Sequence, residues 1–167
     1  MIKISKRRRH EGKTNYTKRR RMLEGKKPRI VIRKTGRYIM IQYIESRIAQ
    51  DFVKFSTDSK KLLDFGWPKQ KEGSLKSLPA AYLTGMLFAK IAEGKKLDGK
   101  EAIIDMGLVK STKGSRIYSA AKGMIDAGFK TPCSEQVFPA ENRIKNENSK
   151  EFFDKVKQSI EKGGSKK

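Results

Sequence analysis

RIVIRKTGRYIMIQYIES, residues 29–46, decides the fold. It is dense in β-branched and aromatic residues, broken once at Thr35-Gly36, and reads as a β-hairpin. With Thr35 and Gly36 as a two-residue loop, Lys34 pairs with Arg37, Arg33 with Tyr38, Ile32 with Ile39, Val31 with Met40, Ile30 with Ile41 and Arg29 with Gln42. Side chains alternate across a strand, so one face collects Ile30, Ile32, Ile39, Ile41 and Tyr43 and is expected to be core. The other collects Arg29, Val31, Arg33, Tyr38, Met40 and Gln42. Guanidinium groups beside an aromatic ring suit phosphate contact and base stacking, although an ordinary solvated sheet face has the same pattern.

Working outward, AQDFVKFST at residues 49–57 reads as a third strand returning beside the hairpin. A Gly-, Pro- and Lys-rich connection follows, in which Trp67 is expected to anchor packing. In LPAAYLTGMLFAKIAEGKK, Ser77 or Leu78 can cap a helix, Pro79 falls in its first turn and Gly94 can stop it. Leu83, Leu87 and Ile91 then share a core face with Ala80 and Met86 alongside. EAIIDMG, residues 101–107, is a buried strand, and STKGSR leads into a second helix whose face is Ile117, Ala121, Met124 and Gly128 with Tyr118 and Ile125. Strand, helix, strand and helix in succession require a crossover and a parallel pair. Asn148 with Glu151 forms a possible capping box for a last helix with Phe152, Val156 and Ile160 on one side. The expected architecture is α/β: a mixed sheet of three antiparallel strands plus a crossover parallel strand, with helices on one face. A basic arm (1–27) precedes the α/β domain (28–130), and a C-terminal extension (131–167) carries the amphipathic helix.

The 167 residues carry 40 Lys and Arg against 18 Asp and Glu, a net charge of +22 and a pI near 10.2, which points to a nucleic-acid partner. The excess is uneven: residues 1–37 hold 16 basic and 2 acidic side chains. A single-sign block repels itself, so its use lies in meeting a polyanion. Thr14 or Asn15 could cap a short helix in the arm that Gly25 would close. Lys18, Arg19, Arg20 and Arg21 would fan around most of its circumference, and the arm is expected to order only on its partner. No apolar run is long enough for a membrane span, and no apolar stretch follows the basic N-terminus, so a cytosolic chain is expected. One cysteine, Cys133, and one histidine, His10, leave no internal disulfide and no Cys/His metal cluster. No cofactor or small-molecule substrate is indicated.

Catalytic readings find few converging residues. Asp105 and Glu45 end strands, but a two-metal nuclease site needs more carboxylates, and a capping or salt-bridge role suits Asp105 better. STKGSR, residues 111–116, offers a glycine, a lysine, hydroxyls and a helix N-terminus, the parts of a phosphate cradle, without the spacing of a nucleotide-binding P-loop. Cys133 has no nearby histidine to act as base. A DNA-binding module would need a recognition helix, whereas the basic residues fall on arm, strand and loop.

RRRHEGKTNYTKRR, KPRIVIRKT, LPAAYLTG, the DMGL strand end and TKGSRIYSAAKGMIDAG, taken in order, resemble the archaeal and eukaryotic form of the large-subunit ribosomal protein that binds 5S rRNA, number eighteen in the bacterial series. The likeness runs from about Arg7 to Ile144. It implies a structural protein without catalysis. Its partners would be 5S rRNA, large-subunit rRNA and the neighbouring ribosomal proteins of the central protuberance, in the cytoplasmic large subunit. Carried over, the basic arm is Arg7, Arg8, Arg9, Lys13, Arg19, Arg20 and Arg21, the hairpin face Arg29, Arg33 and Lys34, and the loop Lys113, Ser115 and Arg116. Charge and ring chemistry add Tyr16, Lys18, Arg37 and Tyr38 as RNA-contact candidates.

Counterion release makes RNA affinity fall steeply with salt. On the sequence alone Arg19 and Arg20 count as phosphate contacts, and replacing both by alanine would then reduce the log–log salt slope by about 2, read by filter binding across salt concentrations.

Overall fold

The computed structural model describes residues 6–163 except 49, 98, 100 and 146–148. In chain order its elements are α1 (Arg7–His10), α2 (Tyr16–Glu24), β1 (Arg29–Lys34), β2 (Ile39–Arg47), β3 (Gln50–Asp58), α3 (Leu78–Gly94), β4 (Ile103–Asp105), α4 (Arg116–Asp126), α5 (Glu141–Ile144) and α6 (Lys150–Glu161). The strands form one sheet in the order β3-β2-β1-β4, antiparallel except for β4, which runs parallel to β1. This is the mixed sheet that the hairpin and the crossover pattern require.

The hairpin register differs from the expected one by two residues. Arg29 lies opposite Ile44, Ile32 opposite Ile41 and Lys34 opposite Ile39. The loop is Gly36-Arg37, one residue later than expected, because Thr35 and Tyr38 close it. The Thr35 N–H donates to the Tyr38 carbonyl at 2.9 Å, and the Thr35 hydroxyl accepts from the Tyr38 N–H at 3.0 Å. A slip of two preserves the alternation, so Ile30, Ile32, Ile39, Ile41 and Tyr43 all lie on the buried face as expected. Tyr43 stacks on Phe55 there, with ring centroids 5.7 Å apart, and Phe88 and Phe129 complete an aromatic cluster.

α3 and α4 cover this face. Ser77 caps α3 by accepting from the Ala80 N–H, and Pro79 occupies the first turn. The helices approach backbone to backbone. A Cβ on Gly85 would lie 2.1 Å from the Ala120 carbonyl oxygen, and one on Gly123 would lie 2.1 Å from that of Tyr82. Glycine is required at both positions for space. The close crossing also explains why α4 buries Ser119, Ala120 and Gly123 besides Ile117, Tyr118, Ala121 and Met124, while Ile125 is half-buried and Gly128 exposed.

A second apolar cluster forms behind α3. Leu83, Met86 and Leu87 meet Leu62, Phe65, Trp67 and the α6 residues Phe153, Val156 and Ile160. Trp67 is 2 % exposed, packs edge-on against Phe152 at 4.7 Å and donates its indole N–H to the Lys71 carbonyl, the anchoring role expected of it. Phe153 is more deeply buried than Phe152, and Asn148 lies outside the described residues.

The described residues of the arm, from 6 onward, form α1 and α2. Asn15 caps α2 through a hydrogen bond from the Lys18 N–H (3.0 Å), and Gly25 ends the helix. The basic run does fan round the helix, but unequally: Lys18 and Arg19 turn to the body and are half-buried, while Arg20 and Arg21 are exposed.

Gly85→Ala and Gly123→Ala are each expected to cost about 1–3 kcal/mol by overpacking, measured by thermal or urea unfolding. Gly94→Ala, which meets nothing within 4 Å, serves as the control and should be neutral or slightly stabilising.

Candidate nucleic-acid interface

Away from α3 and α4, the sheet is organised around Arg29. Parallel pairing brings Asp105 of β4 beside β1, and the β2–β3 hairpin brings Ser46 and Asp51. The Arg29 guanidinium donates to Asp51 at 2.6 Å, Ser46 at 3.0 Å and Asp105 at 3.3 Å, and the residue is 2 % exposed. Arg29 was expected to contact RNA; it is instead an internal residue whose charge is consumed by two carboxylates. Asp105 takes the salt-bridge role expected of it. It also pairs with Arg33 at 3.4 Å and accepts from the Gly107 N–H at 2.7 Å.

Asp51 is shared with the arm, pairing with Arg19 at 2.8 Å as well. Burial pushes its carboxyl up, but hydrogen bonds from Arg19, Ser46 and Arg29 and the charge of Arg29 outweigh this and hold it at about 2. Lys18 supplies the second tie by donating to the Gly107 carbonyl at 3.2 Å.

Between arm and sheet runs a groove of ≈ 320 Å³ whose lining includes Arg8, Lys13, Lys18, Arg19 and Arg33. Several cations of the arm are held locally. Arg8 donates to the Thr14 hydroxyl, Lys13 and Arg7 pair with Glu11, and Arg20 pairs with Glu24. Arg9 and Arg21 are exposed, and the Tyr16 ring carries the Lys6 ammonium 4.7 Å from its centroid. Gly107, at φ +65°, leaves room for the Arg33 guanidinium, which would lie 3.1 Å from a Cβ there.

A second cleft, of ≈ 530 Å³, opens at the N-termini of α3 and α4. It gathers Lys34, Lys113, Ser115 and Arg116 with Arg143, which sequence reasoning did not single out. Arg37 and Tyr38 lie apart in a third hollow at the hairpin loop, where Lys60 sits 4.6 Å from the Tyr38 ring centroid. Tyr38 is thus a loop residue and not part of the sheet face. The only signal for Arg143 was its charge in a polar segment. Cys133 is half-buried, and burial raises its thiol pKa, the opposite of an activated nucleophile. Among the described residues no group of three or more His, Cys, Asp or Glu is placed to hold a metal, and no helix is long and apolar enough to cross a membrane.

The family described as ribosomal large subunit proteins 60S L5 and 50S L18 matches residues 2–100. The chain belongs to this family. It is 46% identical over 156 residues to the large ribosomal subunit protein uL18 of Korarchaeum cryptofilum, covering 93% of this chain and 77% of that protein. Its identity to the uL18 protein of Methanospirillum hungatei is 42% over 149 residues, covering 89% and 82% of the two chains. Against that of Caldivirga maquilingensis it is 40% over 158 residues, covering 94% and 73%. Membership makes the chain an RNA-binding protein of the large ribosomal subunit, with ribosomal RNA and ribosomal proteins as its surroundings, in a family of structural components.

The Asp51 shift carries a pH signature. A carboxyl whose folded pKa lies below its ordinary value of 3.8 contributes stability that is complete above about pH 4 and lost as pH falls through about 2. Asp51→Asn is expected to destabilise by about 1–2 kcal/mol at neutral pH, with the gap to the unaltered protein closing between pH 4 and 2 in urea unfolding. It should also increase amide exchange in α2.

Proposed function

We propose that the chain binds 5S rRNA and helps to attach it to the large-subunit rRNA at the central protuberance, beside neighbouring ribosomal proteins, in the cytoplasmic ribosome. The observation that carries this reading is the division of labour in the arm. Lys18 and Arg19 fasten α2 to Gly107 and Asp51, which leaves Arg9 and Arg21 exposed. An arm already seated on the body presents its cations in a fixed array, so RNA contact does not require the whole segment to be ordered on binding. Residues 1–27 act in this reading as the principal RNA-binding arm. The body formed by residues 28–130 positions it, and the segment 131–167 braces α3 through α6.

Family membership and the basic grooves favour folded ribosomal RNA over duplex DNA. α3 and α4 are buried along most of their lengths, and neither offers a free basic face for a major groove. Competition binding tests the proposal. 5S rRNA should bind at least about a hundredfold more tightly than duplex DNA of the same length, and Arg9→Ala with Arg21→Ala should weaken 5S binding by about 1–3 kcal/mol while leaving the melting temperature unchanged. Equal affinity for DNA and 5S rRNA would reject it.

A further inference from the structure

We infer that the free edge of β3 takes up an extended segment of a neighbouring ribosomal protein as a fifth strand of the sheet. The inference rests on the reading of the chain as a large-subunit component beside other ribosomal proteins, and it adds the surface and the kind of partner.

β3 is the outermost strand and has β2 on one side only. Residues 50–54 and 56 are exposed, and no backbone hydrogen bond joins β3 to a described residue outside β2. Such an edge carries a row of unpaired N–H and C=O groups that another extended chain can satisfy. The opposite edge is short and partly closed. β4 has three residues, and just before it the Ala102 N–H donates to the Lys130 carbonyl at 3.2 Å while the Ala102 carbonyl accepts from the Thr131 hydroxyl at 2.9 Å.

The apolar side chains on the β3 edge select a strand over other partners. Phe52 is 43 % and Val53 51 % exposed, and as sequence neighbours they lie on opposite faces of the sheet, Phe52 opposite Glu45 and Val53 opposite Ile44. A helix or a flat surface docked on one face would cover one of them and leave the other in water. A strand added at the edge runs beside both and sets alternate side chains against each. Ile48, in the turn before β3, is fully exposed at φ +50°, a conformation that a β-branched residue rarely adopts. Neither burial nor backbone preference accounts for it in the free chain. Three of the five large apolar residues exposed among the described residues thus lie between 48 and 53.

Charge narrows the partner further. β3 carries one lysine against two aspartates in a chain of net charge +22, and that lysine, Lys54, pairs with Glu45 at 3.4 Å. Arg47 at the turn is the other basic residue between 46 and 59. The edge therefore lacks the row of cations that a nucleic-acid backbone needs, and two copies of so basic a chain repel one another at the distance of strand pairing. A segment with apolar residues at alternate positions and a lysine or arginine near Asp58 fits the edge, because Asp58 has no ion pair with a described residue and offers that cation an acceptor.

The test uses large ribosomal subunits purified from cells that make the full chain with the photo-crosslinking residue p-benzoylphenylalanine in place of Phe52, of Val53 or, as a remote control, of Lys155, which is exposed on α6. Crosslinks from positions 52 and 53 are expected to enter one segment of one ribosomal protein, within about four residues of each other, and position 155 should not reach that segment. In unaltered subunits the amides of residues 50–58 should exchange at least about tenfold more slowly than in the free protein. Crosslinks to rRNA, to a second copy of the chain or to two different proteins, a crosslink from only one of the two positions or from neither, or exchange in β3 unchanged by assembly would each overturn the inference. If the crosslinks fail while the free protein still prefers 5S rRNA, the function proposed above stands and strand addition alone is rejected. If the free protein shows no such preference, that function fails, and the crosslinks in whole subunits still decide the β3 edge.

Discussion

The guanidinium of Arg29, enclosed at the start of β1, is the constraint around which the polar side of the sheet is arranged. A buried cation is tolerated only when carboxylates and hydrogen-bond acceptors surround it, and removing one of them leaves a charge stranded. Asp105 comes from the neighbouring parallel strand and Asp51 from the far edge strand, so both carboxylates reach Arg29 only when all four strands are in place. Asp51 then has a second lobe for Arg19. The interaction that neutralises the interior thus also seats the arm.

The positive charge of the chain divides into two populations with different work. Arg29, Arg33, Lys18 and Arg19 are engaged with the protein's own acceptors and set the geometry. Arg9, Arg21, Lys34, Lys113, Arg116 and Arg143 have no such acceptor among the described residues and remain available to a polyanion. Net charge alone describes only the sum. In the arm the split leaves Arg9 and Arg21 exposed on a segment that Lys18 and Arg19 tie to the body.

How much of this was legible depended on the range of the interaction. The hairpin faces were readable because alternation survives a register slip of two, even though the loop was placed one residue early and the Thr35–Tyr38 closure was not foreseen. Helix ends at Ser77 and Asn15 and the packing of Trp67 were likewise local signals. Arg29 was misassigned because its burial follows from Asp51 and Asp105, remote in sequence, and nothing in RIVIRK distinguishes it from Arg33. The ties of α2 to Asp51 and Gly107 were missed for the same reason. Arg143 gave no pattern at all, since its guanidinium comes beside Gly114 of the STKGSR loop only in the folded chain, from a segment remote in sequence.

The ties of the arm also impose an order of events during synthesis. Residues 6–24 are made before the acceptors for Arg19 and Lys18, which are Asp51 and the carbonyl of Gly107 and are in position only after β3 and β4 have joined the sheet. Domains fold as units, so a segment that depends on strands made after it is not seated until those strands have joined the domain. The most highly charged part of this chain is therefore made before the sites that seat it, and for the interval between it is an unanchored polycation in a cell full of nucleic acid.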